Sequence, residues 1–229
     1  SEYQKAKQNY ESELKQESVS SISFSARTAF LSLRNKLLNE KVKLLKEKFI
    51  TNFDRLINKN DLVSGINVDD ELNVYPYKTI QLDYEKVKTM LAGSNTNLLK
   101  EQYGEEDYKK MLSIKPGQII SVNKKILGTM SAGESQIYVI ALYMAMIQLS
   151  SVNIPIVIDT PFGRVDELHR TNIIDNFLKK MPNETLILST DEEIIGSLYG
   201  RIIDKVSCEF TLSNTPAYGT KVNKGYFKE

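Results

Sequence analysis

The chain has 229 residues, 41% of them hydrophobic, which is enough for one substantial α/β core with an extension. Its 30 Lys and Arg nearly cancel its 29 Asp and Glu, so no whole-chain field argues for nucleic acid or membrane, and any DNA affinity has to come from a local patch. One cysteine, Cys208, and one histidine, His169, exclude an internal disulfide and the usual Cys/His zinc frameworks, and no apolar run approaches the roughly 20 residues of a membrane span; a reducing, cytoplasmic setting without a membrane partner is expected.

From Ser1 to Ile57 the sequence is rich in Lys, Glu, Gln and Asn, lacks Gly and Pro, and carries apolar residues at helical spacing. Leu38, Val42, Leu45 and Phe49 step by four, three and four, with Leu56 seven further on, the a/d repeat that buries a seam against another helix. An amphipathic helix packed on its own domain would show the same stripe. The stretch Ser18 to Ser25 reads as a break. Because the pattern is already running at Ser1, which is not a methionine, a longer parent chain is expected.

After a polar turn at Asn58 to Asp61, Ile66 to Asp69 and Leu72 to Tyr75 alternate apolar and polar, as two short strands would. Leu82 to Met111 is polar and largely helical, with Gly93-Ser94-Asn95 as a turn between two helices. It reads as an inserted hairpin. Lys115-Pro116-Gly117 marks a further turn and Ile119 to Val122 a strand.

Three pieces then follow in a fixed order. Met130 to Gln136 opens a long apolar helix, Ile137 to Leu149. Small residues ahead of such a helix leave its first N–H groups free to face an anion, while Ser131 with Glu134 also has the spacing of a capping box. Ile154 to Ile158 is a β-branched run suited to a buried parallel strand, and it ends on Asp159. A carboxylate at such a tip sits where doubly wound sheets bind ligands and where P-loop nucleotidases hold the Mg²⁺ shell. Pro161 to Asp166 turns the chain into a helix running through Leu178, with Asp166 placed as its N-cap. Thr185 to Leu188 is a second apolar strand, ending in Ser189-Thr190-Asp191, so two adjacent strands would deliver polar residues to one rim.

Ser131-Ala132-Gly133-Glu134, followed by this strand, loop and second strand, resembles the signature, Walker B, D-loop and switch-loop series of SMC and SbcC-type ABC ATPases. The resemblance covers Ile57 to the end. Ile158 to Asp166, Ser189 to Ile194 and Lys224 to Phe227 are similar, more narrowly, to DndD, the SMC-like ATPase family of bacterial DNA phosphorothioation systems. The resemblance implies an α/β fold, the C-terminal lobe of an SMC/ABC-type head built on a parallel-containing sheet with flanking helices. Residues 58–229 would form that lobe, with a helical insertion at about 82–111, and residues 1–57 the returning coiled-coil arm.

The resemblance further implies ATP and Mg²⁺ as cofactors. Ser131 and Gly133 would contact the γ-phosphate of an ATP held by an opposing head, within a cofactor-binding set of Ser131, Ala132, Gly133, Glu134, Gln136 and Asp166. Asp159 would hold the metal, and Asp166 would bridge two heads in an ATP-dependent homodimer acting on DNA, with other phosphorothioation proteins as further partners. Two departures stand out. Thr160 occupies the position of the usual catalytic glutamate and Asp191 that of the usual switch histidine. Threonine is a poor base, so the expected catalytic set is Asp159, Thr160, Asp191 and Glu192, with Asp191 or Glu192 positioning the attacking water. The alternative is that Ser189 to Asp191 cap a helix begun by Glu192 and Glu193.

Nowhere does the sequence contain G-x-x-x-x-G-K-[ST], the loop that cradles the nucleotide phosphates, so ATPase activity is expected only once an N-terminal lobe supplies it. Two other functions fit the same motifs: a repair or anti-phage ATPase lobe of SbcC/SMC type, and a head that closes on ATP as a non-hydrolysing assembly module. His169 reads as a helix-surface residue or a contact to a partner head. Cys208 reads as a small core residue in a strand from Val206 to Leu212, and Tyr226-Phe227 as an edge strand.

Overall fold

The computed structural model describes residues 2–57, 62–69, 71–181, 184–217 and 219–226, with the backbone alone at 2, 3 and 6–21. The turn expected at Asn58 to Asp61 and the aromatic Phe227 lie outside the described residues. The chain divides into two compact units, Ser1–Leu45 and Lys46–Glu229.

Helix α1 runs unbroken from Glu2–Leu56. The interruption expected at Ser18 to Ser25 does not occur. That stretch holds no Gly or Pro, and its Ser and Val residues cost only about 0.5 kcal/mol each relative to Ala, less than nucleating a new helix. The expected seam changes character along its length: Leu38 is 40% exposed, whereas Phe49, Phe53 and Leu56 are buried in the second unit.

In that unit, β1 (Gly65–Val68), β2 (Val74–Asp83) and β3 (Ile119–Lys125) form an antiparallel sheet in the order β1-β2-β3. Strand β2 is longer than expected because it continues through Pro76, which faces Ile66 and whose carbonyl accepts the Ile126 N–H at 3.2 Å. Alternation persists beyond the proline, with Leu82 buried and Ile80 packed beside it. Helices α2 (Tyr84–Gly93) and α3 (Thr96–Ser113) follow, capped by Asp83 and Asn95, and bury Val87, Leu99, Tyr103 and Met111 against Leu82 and Val122. The Lys115-Pro116-Gly117 turn forms as read, with Gly117 at φ +81° and Gln118 N–H bonded to Lys115 O at 3.0 Å.

Helix α4 (Ala132–Leu149) is apolar almost all round and central to the core. Its Tyr138 meets Phe49 edge-on with ring centroids 5.5 Å apart, and donates to Val74 O at 3.2 Å. Burial pushes that phenol up to about 12. At the end of α4, the exposed Gln148 exchanges two 3.3 Å amide hydrogen bonds with the buried Asn52, which fixes the register of α4 on the last turns of α1.

Strands β4 (Ile156–Asp159) and β5 (Thr185–Leu188) form a parallel pair joined through α5 (Glu167–Asn176) and a 3₁₀ turn at Leu178–Lys180. Asn172 and Asn176 of α5 donate to Leu56 O and Arg55 O, satisfying carbonyls that end α1. Helix α6 (Gly196–Ile202) and an antiparallel hairpin, β6 (Phe210–Thr215) with β7 (Gly219–Lys224), complete the fold. The expected helix start at Glu192 is corrected to Gly196, since Asp191 to Glu193 form a turn. The strand expected from Val206 begins only at Phe210, so Cys208 lies outside it and is exposed, not a core residue. Tyr226 falls beyond the end of β7 and outside any strand.

Among the described residues the parallel pair is covered on one side only. Ile156 is buried, but Val157 and its register partner Leu186 are 60% and 57% exposed, and Leu188 is 42% exposed. The pattern belongs to strands buried on both faces, and the described residues supply a cover for one.

Candidate functional site

The site is built where α4 begins and β4 and β5 end. At the start of α4 the capping box is complete: Ser131 Oγ accepts the Glu134 N–H at 3.2 Å, and Glu134 Oε2 accepts the Ser131 N–H at 2.8 Å. The box leaves the first-turn N–H groups of Ala132 and Gly133, which a helix cannot satisfy itself, directed along the axis with the positive end of the dipole. It also leaves the Ser131 hydroxyl proton available to donate, so the capping and anion-facing readings of this motif are geometrically compatible. Gly133 is dictated by packing, since a Cβ there would stand 2.6 Å from the Arg164 carbonyl oxygen.

The tips of β4 and β5 coincide, with Asp159 level with Leu188 and the ladder extended by Thr160 N–H to Leu188 O at 2.8 Å. Thr160 then turns the chain at φ +45°, in the left-handed region that a β-branched residue rarely enters, a strain of about 1–3 kcal/mol. Gln136 of α4 holds that turn: its Nε2 donates to Thr160 O at 3.0 Å and Pro161 O at 2.8 Å, and its Oε1 accepts the Arg164 N–H at 3.2 Å. From the turn after β5, Glu193 reaches under the same loop. One carboxylate oxygen accepts the Phe162 N–H at 3.1 Å and the other the Thr190 N–H at 3.2 Å. Glu193 is only 4% exposed.

These elements border an open cavity of about 650 Å³. Of the expected site residues, Ala132, Gln136, Asp159, Thr160 and Glu192 line it, whereas Ser131, Gly133, Glu134, Asp166 and Asp191 stand outside its wall. Ser135, Val139, Arg164, Arg170 and Glu193, none of which the motifs assign to the site, also line it. Glu193 stood beside a residue already singled out, but nothing in the sequence distinguishes the buried carboxylate from the exposed one. Arg170 steadies the wall, with Nε donating to Val165 O at 3.1 Å and Nη1 to Glu192 O at 3.3 Å.

Asp166 caps α5, accepting the His169 N–H at 2.9 Å and meeting His169 Nδ1 at 2.7 Å. The His169 backbone N–H, and then its ring, hold the Asp166 carboxyl below the usual carboxylate range against a smaller opposing effect of burial. His169, expected at the helix surface or in contact with a partner head, has a side chain only 15% exposed and bonded back onto the cap. Just past the C-terminal end of β5, Ser189 Oγ and the Tyr226 hydroxyl are 2.9 Å apart, and Tyr226 stacks on Tyr199 at 5.1 Å.

Among the described residues no group of three or more His, Cys, Asp or Glu side chains could hold a metal. Asp159, a single exposed carboxylate at a strand tip on the cavity wall, fits a Mg²⁺ ion, which takes one or two carboxylates and completes its shell with water and phosphate oxygens. No helix among the described residues is long and apolar enough to cross a membrane.

No protein-family model matches the chain, and no curated protein matches it. Among solved structures, one from work on the structural biochemistry of ATP-driven dimerization and DNA-stimulated activation of SMC ATPases aligns over 84% of this chain and 89% of that chain, at 10% identity and a TM-score of 0.44.

Proposed function

We propose that this chain is the C-terminal lobe of an SMC-like ABC ATPase head, active in ATP hydrolysis once a lobe carrying the P-loop completes it. The observation that carries this reading is the meeting at one cavity of the β4 tip with Asp159 and the turn after β5 with Glu192. A strand-tip carboxylate and a carboxylate beside the neighbouring strand are parts that nucleotide hydrolysis uses beyond a phosphate loop. The missing phosphate loop and the uncovered Val157/Leu186/Leu188 face point the same way, since a second lobe would supply the one and cover the other.

Within that reading, Asp159 would hold a Mg²⁺ ion, which would supply positive charge against the nucleotide phosphates. Glu192, on the cavity wall, positions water from the neighbouring strand. Ser131 and Gly133, outside the wall, present the α4 N-terminus to a nucleotide on the opposing head, and Asp166 lies at the same head-to-head surface. The finer assignment, a DndD-like lobe acting on DNA in phosphorothioate modification with ATP-dependent homodimerisation, is supported by the wording of Ile158 to Asp166 and of Ser189 to Ile194. Residues 1–57 act there as the returning arm of the coiled coil, and 58–229 as the lobe.

The test is complementation. The chain alone should bind Mg-ATP more weakly than micromolar in calorimetry, while the head completed with its P-loop lobe should hydrolyse ATP at a rate that responds to DNA. Micromolar binding by the chain alone, or a completed head that binds no ATP, refutes the reading.

A further inference from the structure

The loop from Thr160 to Arg164 takes its backbone hydrogen bonds chiefly from two side chains on other elements. Gln136 uses both protons of its amide nitrogen on Thr160 O and Pro161 O, and its amide oxygen on the Arg164 N–H. Glu193 uses one oxygen on the Phe162 N–H and the other on the Thr190 N–H. The Phe162 ring between them is fully buried. Two consequences follow from this chemistry. An amide with both N–H protons engaged has no donor left for a nucleotide phosphate, and a carboxylate 4% exposed, with both oxygens on backbone N–H groups, is not placed to act as a base or to bind a metal.

We propose that Gln136 and Glu193 are positioning residues that form one clamp, coupling the N-terminal turn of α4 to the β4 tip and, through it, to the turn after β5. Loss of either jaw releases Thr160 from its left-handed conformation, because that strain is sustained only by the bonds around it. A displacement of the first turn of α4 therefore moves the Thr160 and Pro161 carbonyls directly, and Thr190 through Phe162 and Glu193. The proposal rests on the ATPase reading for its consequence in turnover, but the coupling itself exists in the chain without nucleotide.

Amide exchange at single residues, measured by NMR on the protein, tests the coupling. Gln136→Met removes the amide at similar volume, and Glu193→Gln turns one acceptor into a donor. The diagnostic effects are the crossed ones: Gln136→Met should speed exchange at Thr190, whose N–H bonds Glu193 and not Gln136, and Glu193→Gln should speed it at Arg164, whose N–H bonds Gln136, each by about tenfold, the scale of one lost hydrogen bond. Exchange at both crossed positions within about twofold of wild type, in variants that keep the wild-type circular dichroism, overturns the clamp. In the completed head, Gln136→Met should lower kcat by about tenfold with KM for ATP within about threefold, the split expected of a residue that arranges groups without binding substrate. An equal loss in KM and kcat, or none in either, overturns the positioning role. A wild-type head without ATPase activity would instead sink the functional reading and leave the exchange result to decide the clamp.

Discussion

Gly133 poses two physical effects of opposite sign, and the structure decides between them. In the first turn of an 18-residue helix, Gly→Ala ordinarily stabilises, by up to about 1 kcal/mol, because alanine loses less backbone entropy. Here the added Cβ would stand 2.6 Å from the Arg164 carbonyl oxygen, 3.6 Å from its carbonyl carbon and 3.8 Å from Val165 Cγ1. The nearest atom is backbone, and the Arg164 N–H is fixed by Gln136, so the loop cannot step aside without breaking that bond. Overpacking of this kind costs about 1–3 kcal/mol. Gly133→Ala should therefore destabilise by about 1–2 kcal/mol in urea unfolding. Gly200, inside α6 with nothing within 4 Å of the point a Cβ would occupy, supplies the calibration: Gly200→Ala should stabilise by about 0.5–1 kcal/mol. A Gly133→Ala protein as stable as wild type or more so, alongside a stabilised Gly200→Ala, would refute the close approach of α4 and the β4–α5 loop.

Glu192→Gln in the completed head should lower kcat by about a hundredfold or more, and Asp191→Ala by much less, because only Glu192 lines the cavity; single-turnover ATP hydrolysis reads both, and the reverse order would move the water-positioning role to Asp191. Asp166→Ala should cost about 1 kcal/mol near neutral pH through loss of the α5 cap. Since the folded-state carboxyl is held below its ordinary value, the stability it adds is present above the ordinary carboxylate value near 4 and is lost as pH falls through the lowered one. Unfolding curves of wild type and Asp166→Ala should therefore converge in acid, and a gap that stays constant down to pH of about 2 would contradict the assignment.

Much of the site was legible because its signals are local. Ser131 and Glu134 at capping spacing, a β-branched run ending on Asp159 and an N-cap at Asp166 are all decided within a few residues, and each forms. What the sequence hid depends on contacts between distant segments. Gln136 is separated from the loop it holds by 24 to 28 residues, and Glu193 from Phe162 by 31. Burial separates Glu193 from its neighbour Glu192, and no local pattern encodes it. Local rules also misjudged places where tertiary context wins: β2 passes through Pro76 because the residue's carbonyl is used while its missing N–H is not required, and α1 passes through Ser18 to Ser25 because helix continuation outweighs weak propensity. Cys208 was misplaced because an apolar neighbourhood in sequence became an exposed approach to β6.

The uncovered side of the β4–β5 pair carries the strongest remaining consequence. Val157 and Leu186 face each other in register, more than half exposed in this chain, on strands whose composition is that of a sheet covered on both sides. Leu186→Lys should leave the lone chain's stability within about 0.5 kcal/mol of wild type, because an exposed position loses little burial. In the completed head the same position would be covered, and denying it the burial of a leucine is worth about 1.5–3 kcal/mol, before the cost of placing a charge there. That range corresponds to roughly 10- to 150-fold weaker association of the two lobes, measurable by titration calorimetry. If association were unchanged while the lone chain kept its stability, the apolar face would not be where the second lobe sits. If instead Leu186→Lys unfolded the lone chain, the face would already be part of this chain's own core.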